Sequence, residues 1–151
     1  MIKLNGKAVE IGHFPDSTLL IKEAVEVNYS TEKTAKLFWR FECNEELVAL
    51  IYLTRHLQSH GITNVHLDMP YIPNARQDRV KTDEDVFTLK YFSEVINSLG
   101  FKSVTVLDPH SSVSEALIDN IVTKSPKSYI DIVISKLTKT DENLLLFYPD
   151  A

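Results

Sequence analysis

Strand patterns alternate with helix patterns through the middle of the chain, and this alternation limits the fold more than any other feature. Segments 35–42, 64–71 and 102–108 are rich in the β-branched and aromatic residues that strands favour. Segments 44–59 and 83–99 lie between them, and the second repeats apolar residues three and four positions apart. Strands that alternate with helices predict βαβ units. We therefore expect an α/β fold with a mainly parallel sheet and helices on both faces.

Residues at the ends of the two helical patterns predict where these helices begin and end. Asn44 is expected to cap the first helix. Thr82 and Asp85 have the spacing of a capping box for the second helix, and Gly100 stands where a glycine often ends one.

The two ends of the chain differ from its middle. Residues 13–27 predict a turn and a strand with no helix before the next strand. Near the other end, a third helix is expected over 126–137 and an apolar strand over 143–150. Because that strand has no closing loop, we expect Ala151 to be a boundary within a longer protein.

Charge and cysteine content exclude several classes of protein. A net charge of −5 and a pI of about 5.5 argue against a chain that coats nucleic acid or binds an anionic membrane. No apolar run has the length of a membrane helix, and the N-terminus has no signal-peptide pattern. Cys43 is the only cysteine, which fits a reducing cytoplasm, and we expect it to be a small buried side chain.

Glycine motifs for nucleotide binding are absent from the sequence. The chain has four glycines, and none belongs to a P-loop or to a dinucleotide fingerprint. It also lacks a GxSxG motif and a cysteine pair for zinc. Any nucleotide must therefore be held by side chains.

Polar clusters follow three of the expected strands. They are "IPNARQDR" after 64–71, "DPHSS" after 102–108 and "PDA" at the end of the chain. The carboxyl ends of parallel strands meet at one edge of a sheet, where open α/β sheets bind ligands. Arg76 and Arg79 could bind phosphate oxygens, and Gln77 could bond a base or a ribose. The alternative is a solvated loop whose Arg–Asp pairs contribute under about 1 kcal/mol each, and composition alone slightly favours it.

Histidines offer further candidates for chemistry. His110 could bind magnesium, carry a proton or be a half-buried histidine bonded to backbone, and Asp150 is a candidate carboxylate beside it. His56 and His60 are four residues apart, which is a possible metal spacing. Both fall in the last turn of a helix without a visible third ligand, so we interpret them as structural.

The motif Ala75–Arg79, "ARQDR", together with the Pro-Tyr pair before it, resembles the ribose-phosphate pyrophosphokinases. Other landmarks resemble that family in the same order, over roughly residues 11–151. They are "FPDST" at 14–18 for its Phe-x-Asp-Gly-Glu turn, Asn44-Glu45 for its Asn-Asp, "LDPHS" at 107–111 for its histidine segment and "FYPDA" at 147–151 for its Ser-Pro-Asp segment.

The resemblance implies a phosphoribosyltransferase-like domain that transfers pyrophosphate from ATP to ribose 5-phosphate with Mg²⁺, giving phosphoribosyl pyrophosphate and AMP. It implies an oligomer with a nucleotide site shared between subunits, and no nucleic-acid or membrane partner. The implied site residues are Phe14, Asp16, Thr18, Arg76 and Gln77 for ATP, His110 and Asp150 for the metal, and Asp78 and Arg79 as supports of the loop.

The resemblance also has gaps. Ser17-Thr18 stand where the family has Gly-Glu, and Pro109 stands where it has leucine. The family's ribose-5-phosphate loop and catalytic flap lie in its C-terminal half and have no counterpart here. We expect residues 1–125 to form the N-terminal domain, residues 126–151 to begin the next one, and this chain to be inactive alone. One alternative is a non-catalytic homologue that regulates active subunits. Another is a phosphoribosyltransferase, but those enzymes have no "ARQDR" loop, so the motif at 75–79 argues against this alternative.

Overall fold

A computed structural model describes residues 1–22, 31, 33–139 and 145. Eight strands and four helices are assigned in these residues. The strands are β1 Ile2–Leu4, β2 Lys7–Ala8, β3 Glu10–His13, β4 Leu19–Lys22, β5 Thr34–Trp39, β6 Asn64–Asp68, β7 Ser103–Leu107 and β8 Ile121–Lys124. The helices are α1 Glu45–Ser59, α2 Thr88–Ser98, α3 Ser112–Leu117 and α4 Lys127–Leu137.

Six strands form one sheet in the order β2-β1-β5-β6-β7-β8, and β3 and β4 form a separate hairpin. Strands β5 to β8 are parallel, whereas β1 runs antiparallel to both of its neighbours. In the parallel part Leu37 lies opposite Leu67, which lies opposite Val104. The expected α/β class with a mainly parallel sheet is confirmed.

One face of the sheet carries the hydrophobic core. Alternate residues of the parallel strands are buried on this face, as the two-residue period of a strand requires. They pack with the apolar stripes of α1 and α2. Buried members of this core include Ala35, Leu37, Trp39, Val65, Leu67, Val104, Val106, Ala49, Leu50, Leu53, Leu57, Leu89, Phe92 and Ile96.

The second face of the sheet is polar. Lys36 and Asp68 are exposed, and His66 is half-buried with its Nδ1 2.7 Å from the Ser103 hydroxyl oxygen. Helix α4 buries no side chain. A helical cover over this second face is therefore not found in the part of the chain that the structure describes. None of the helices there is long and apolar enough to cross a membrane.

Helix α2 begins five residues later than expected, at Thr88. The Asp85 carboxylate accepts the backbone N–H groups of Lys81 and Thr82 at 2.8 and 2.9 Å, which closes a separate turn. The expected capping box is therefore wrong. The expected C-terminal glycine is confirmed, because Gly100 follows the helix with φ +67°.

The start of α1 also differs from its expectation. Asn44 precedes the helix, but its side chain makes no capping hydrogen bond. Cys43, expected to be buried, is exposed.

A short helix and an edge strand separate β7 from α4, and neither is predicted from the sequence. Only Ile121 of β8 is even half-buried, so this strand lacks a clear apolar pattern. Helix α4 lies close to its expected range, and the Ser125 hydroxyl accepts the N–H of Lys127 at 3.2 Å. The expected strand at 143–150 lies outside the described residues, apart from Leu145.

A buried carboxylate ties the start of the chain to α1. Glu46 is 7% exposed, and its Oε2 accepts the indole N–H of Trp39 at 3.0 Å and the backbone N–H of Glu42 at 2.9 Å. Its Oε1 accepts the α-amino group of Met1. Glu46 therefore joins the residue before β1, the end of β5 and the start of α1 at one point.

Ser17→Gly is expected to stabilise the chain by about 0.5 kcal/mol. Ser17 has φ +67°, a left-handed conformation that costs an L-residue about 1 kcal/mol and glycine little. The greater freedom of glycine in the unfolded chain offsets part of the gain. Urea unfolding would measure the difference, with Ser17→Ala as the control. A gain for alanine equal to that for glycine would contradict the conformational explanation.

Candidate functional site

The segments that follow β6 and β7 start side by side at the carboxyl edge of the sheet. The Met69 N–H donates to the Thr105 carbonyl at 2.8 Å, and the Leu107 N–H donates to the Pro70 carbonyl at 3.2 Å. These bonds continue the pairing of the two strands beyond Asp68. Two of the three predicted polar clusters therefore lie at one edge, and the third, at the end of the chain, lies outside the described residues.

Residues 75–79, which we call the arginine loop, are anchored by buried apolar side chains. Ile72 and Ala75 are each 4% exposed, and Asn74 adopts φ +64°, a conformation that asparagine tolerates. The Gln77 N–H donates to the Asn74 carbonyl at 3.0 Å and closes the turn. Arg76 is exposed, and no hydrogen bond or ion pair engages its guanidinium within the described part of the chain. That guanidinium is therefore available to an anionic ligand.

Gln77 links the arginine loop to the start of α2. Its side-chain Oε1 accepts the Thr88 hydroxyl at 2.8 Å, and its backbone carbonyl accepts the Leu89 N–H at 3.3 Å. The amide nitrogen of the side chain remains as a donor for a ligand.

Asp78 and Arg79 form a bidentate pair between neighbours in sequence. The Nε and Nη2 atoms of Arg79 donate to the two Asp78 carboxylate oxygens at 2.7 and 3.0 Å. The Asp78 side chain is 6% exposed and that of Arg79 is 62% exposed. The hydrogen bonds from Arg79 are the main reason that the pKa of Asp78 lies well below its usual range. The nearby Ser111 hydroxyl is the second cause, although its geometry is too poor for a hydrogen bond. The charge of His110 acts in the same direction.

Asp78 of the arginine loop thus lies close to residues 108–111, which we call the histidine loop. Asp108 has φ +46° directly after β7, and its N–H donates to the Lys124 carbonyl at 2.9 Å. His110 is exposed. The arginine loop and the histidine loop therefore lie together as one candidate site.

Asp78→Asn is expected to reduce the amount of unfolding free energy that the chain loses between neutral and acid pH. The folded chain holds the Asp78 pKa low, whereas an unfolded aspartate titrates near pH ~4. Ionised Asp78 thus favours the folded state above about pH 4, and this contribution is lost as the pH falls further towards the folded pKa. Denaturant unfolding at neutral pH and near pH ~3 should show a smaller loss for Asp78→Asn than for the unchanged chain.

Asp83→Asn is the matched control for that experiment, because Asp83 is an exposed carboxylate in the same connection. Equal acid losses for the unchanged chain and Asp78→Asn would contradict a stabilising role of the ionised carboxylate.

Few of the expected metal ligands are assembled in the described residues. No group of three His, Cys, Asp or Glu side chains there could hold a metal ion. Asp150, expected beside His110, lies outside the described residues. His56 and His60 have ring centroids 4.3 Å apart at the end of α1. Magnesium keeps several waters and takes one or two protein ligands plus phosphate oxygens. His110 and the phosphates of a nucleotide therefore fit only part of a magnesium site.

The expected "FPDST" turn forms the tip of the β3–β4 hairpin. The Asp16 Oδ1 accepts the hydroxyl and the backbone N–H of Thr18 at 2.7 and 3.0 Å, and these bonds lower the pKa of Asp16. Phe14 is 49% exposed. The hairpin contacts α1 through one hydrogen bond, in which the His13 Nε2 lies 2.7 Å from the Glu45 Oε1. Within the described residues, no hydrogen bond or ion pair joins it to the arginine loop.

Sequence reasoning missed two features of this edge. One is the approach of the Ser111 hydroxyl to Asp78. The other is an aromatic pair, Phe41 and Tyr71, with ring centroids 6.2 Å apart. Both rings follow the ends of neighbouring parallel strands, and that position was a usable signal.

Comparison with known proteins finds similarity in sequence and in fold, although no protein-family model matches the chain. A ribose-phosphate pyrophosphokinase of Marinomonas sp. (strain MWYL1) is 27% identical over 113 residues, which cover 72% of this chain and 35% of that protein. The crystal structure of a phosphoribosylpyrophosphate synthetase from Mycobacterium smegmatis has a TM-score of 0.74 at 13% identity. That match covers 89% of this chain and 45% of the other.

The chain thus spans about a third of the length of the curated relative. The structural match shows the fold, and the sequence match is to a protein that carries the name of the family that the "ARQDR" motif at 75–79 resembles. The chain is similar in sequence to a ribose-phosphate pyrophosphokinase and in fold to a phosphoribosylpyrophosphate synthetase.

Proposed function

We propose that this chain is the ATP- and magnesium-binding N-terminal half of a ribose-phosphate pyrophosphokinase. The observation that carries the proposal is the exposed Arg76 guanidinium, free of partners in the described residues, on a loop fixed at the carboxyl edge of the sheet. Arginine binds phosphate oxygens with two parallel hydrogen bonds, so this side chain suits a polyphosphate.

The other residues of the edge support that contact. Gln77 offers its amide nitrogen to the nucleotide, while Thr88 fixes the orientation of the amide. The bidentate bond between Asp78 and Arg79 keeps the loop in shape while no ligand is bound. A pre-shaped loop binds more tightly, because less freedom is lost on association.

His110 and Asp150 are the proposed metal-site residues, directly or through water. Bound magnesium would neutralise the negative charge that develops on the transferred pyrophosphoryl group. His110 sits on the histidine loop, where it would orient the hydrated metal. Its imidazole is a less suitable ligand for magnesium than a carboxylate, so contact through water is the arrangement we favour.

The proposed reaction of the whole protein transfers the β,γ-pyrophosphoryl group of ATP to the 1-hydroxyl of ribose 5-phosphate. Its products are phosphoribosyl pyrophosphate and AMP. Such a transfer depends mainly on positioning and on neutralising charge, which arginine and magnesium supply. Since this chain spans about a third of its curated relative, we propose that it binds nucleotide but does not turn over alone.

A non-catalytic homologue that regulates active subunits is the second candidate. The tip of the hairpin favours this candidate. Thr18 stands where the family that the sequence resembles has a carboxylate, and it donates two hydrogen bonds to Asp16 within the turn. Under the first candidate we propose a cytoplasmic homo-oligomer in which Phe14, Asp16 and Thr18 act in a neighbouring subunit, whereas the regulator would assemble with active subunits. The division into residues 1–125 and 126–151 stays a prediction.

Phosphorus NMR of the chain with ATP, magnesium and ribose 5-phosphate tests the proposal. We expect the ATP resonances to shift on binding, without formation of AMP. A sugar-linked pyrophosphate signal from this chain would contradict the proposed inactivity. The complete gene product separates the two candidates, because the enzyme forms product, whereas a regulator changes only the rate of an active partner.

A further inference from the structure

The second face of the sheet carries an open groove across strands β5 to β8. Its volume is about 530 Å³, which is in the range of small-molecule sites. The polar side chains that line it are those of Lys36, His66, Asp68, Ser103, Thr105 and Lys124. Among the described residues that line it, none belongs to the arginine loop or to the histidine loop. The groove is therefore separate from the candidate nucleotide site.

The polar lining of this groove departs from the usual pattern of a parallel sheet. Parallel strands are normally buried on both faces and carry apolar residues on both. Here the buried residues of β5, β6 and β7 alternate with lysine, histidine, aspartate, serine and threonine. A helix packed on this face would leave such groups without hydrogen-bond partners, at a cost in free energy. The composition of the face therefore fits a polar ligand better than a covering helix.

One row of the groove offers hydrogen-bond donors to an anion. Lys36 lies opposite His66, and His66 lies opposite Ser103. Neighbouring strands are about 4.8 Å apart, so a single ligand can reach all three side chains. No hydrogen bond or ion pair engages the Lys36 ammonium group in the part of the chain that the structure describes.

The pair of His66 and Ser103 supplies a donor whichever group holds the shared proton. The His66 Nδ1 lies 2.7 Å from the Ser103 Oγ. If the serine donates, the neutral imidazole carries its proton on Nε2, and if the imidazole donates, the hydroxyl proton of the serine is free. Lys3 adds a second cation beside the groove, with its Nζ 5.9 Å from the ring centroid of Phe38. The row therefore favours a negatively charged group, although the chain has a net charge of −5.

The next row along the sheet offers a carboxylate and a hydroxyl group. Asp68 lies opposite Thr105, and it follows His66 on β6 by two residues, a step of about 6.6 Å along a strand. The Asp68 carboxylate is exposed, and no ion pair engages it within the described residues. A carboxylate repels a second anion but accepts hydrogen bonds from hydroxyl groups. A ligand that suits both rows thus has an anionic group at one end and hydroxyl groups at the other.

We propose that this groove binds a phosphorylated polyol, with its phosphate on Lys36, His66 and Ser103 and its hydroxyl groups on Asp68 and Thr105. A phosphate monoester presents three strong acceptor oxygens, which match the three donor side chains. The inference is independent of the proposed function, because it uses no residue of the nucleotide site. It is also separate from the ribose-5-phosphate loop of the family that the sequence resembles, which has no counterpart in this chain.

A ¹⁵N–¹H NMR titration of the 151-residue chain with glycerol 3-phosphate, inorganic phosphate and glycerol tests the inference. We expect saturable shifts around residues 36, 66, 68 and 103–105 with glycerol 3-phosphate, weaker binding of inorganic phosphate, and no binding of glycerol. Lys36→Ala is expected to weaken both anions about tenfold, the loss of one charge-assisted hydrogen bond. Lys102→Ala is the matched control, because Lys102 is an exposed lysine next to Ser103 that does not line the groove.

Asp68→Ala adds a test that a misfolded variant would not pass, because it predicts a gain. Removing the carboxylate should strengthen the binding of inorganic phosphate about two- to fivefold, since the repulsion between exposed charges is lost. The same change should remove the advantage of glycerol 3-phosphate over inorganic phosphate, because the polyol loses its acceptor.

Three results would overturn the inference. Equal losses for Lys36→Ala and Lys102→Ala would indicate unspecific attraction of anions. Tighter binding of inorganic phosphate than of glycerol 3-phosphate by the unchanged chain would contradict a polyol ligand. Shifts confined to residues 75–79 and 108–111 would place the anion at the candidate nucleotide site, and the proposed function would then stand without the groove.

Discussion

Replacing Glu46 with alanine is expected to lower the free energy of unfolding by about 2–4 kcal/mol, because each buried donor left without its acceptor costs about 1–3 kcal/mol. The substitution leaves the indole N–H of Trp39 and the backbone N–H of Glu42 without their acceptor. It also removes the carboxylate that pairs with the amino group of Met1. Buried donors that lose a partner keep their full desolvation penalty, so the loss exceeds that of an ordinary surface carboxylate.

Thermal and urea unfolding would measure the loss, which corresponds to roughly 10 °C in melting temperature for a chain of this size. Glu45→Ala is the control, because Glu45 is exposed and pairs only with His13 in the described residues; its cost should stay below about 1 kcal/mol. In a cycle with Trp39→Phe, the two substitutions should couple by about 1 kcal/mol or more. A Glu46→Ala cost no larger than that of Glu45→Ala would contradict the structural role of this carboxylate.

Arg76→Ala is expected to weaken MgATP binding roughly 10- to 150-fold, since charge-assisted hydrogen bonds contribute about 1.5–3 kcal/mol. The guanidinium has no partner in the described residues, so its removal leaves no internal group unpaired. Stability should therefore change by less than about 0.5 kcal/mol. A loss of affinity without a loss of stability would mark a ligand contact.

Two substitutions sharpen the titration of that variant. Arg76→Lys keeps the charge but loses the paired hydrogen bonds, and we expect an intermediate affinity. Arg55→Ala removes an exposed arginine on α1, which bonds Gln58 and the Ser98 carbonyl, and should leave binding unchanged. Equal affinities for Arg76→Ala and Arg55→Ala would show that Arg76 does not bind the nucleotide.

The parallel part of the sheet was predictable because its strands repeat apolar residues at every second position. Leu37 and Trp39, or Val104 and Val106, are buried as that period requires. Helix α2 was predicted with a wrong start. The Asp85 carboxylate accepts the N–H of Thr82, as it would in a capping box, but this bond closes a local turn before the helix begins. Strand β8 was missed, since an edge strand buries little and needs no apolar period.

The motif at 75–79 was readable from the sequence, whereas its internal bonds were not. Adjacent residues such as Asp78 and Arg79 pair only when the backbone turns their side chains together, and a sequence does not specify that turn. The approach of Ser111 and His110 depends on the register of β6 and β7. The pairing of Phe41 with Tyr71 likewise depends on two strands being neighbours.

Titration of the isotope-labelled chain with MgATP, followed by ¹⁵N–¹H NMR, tests most directly whether the nucleotide binds at the carboxyl edge of the sheet. We predict that the largest shifts fall in residues 75–79 and 108–111, with smaller changes on the polar second face around Lys36 and His66. Saturable shifts confined to that second face, or no shifts in the arginine loop at millimolar nucleotide, would contradict the proposed site.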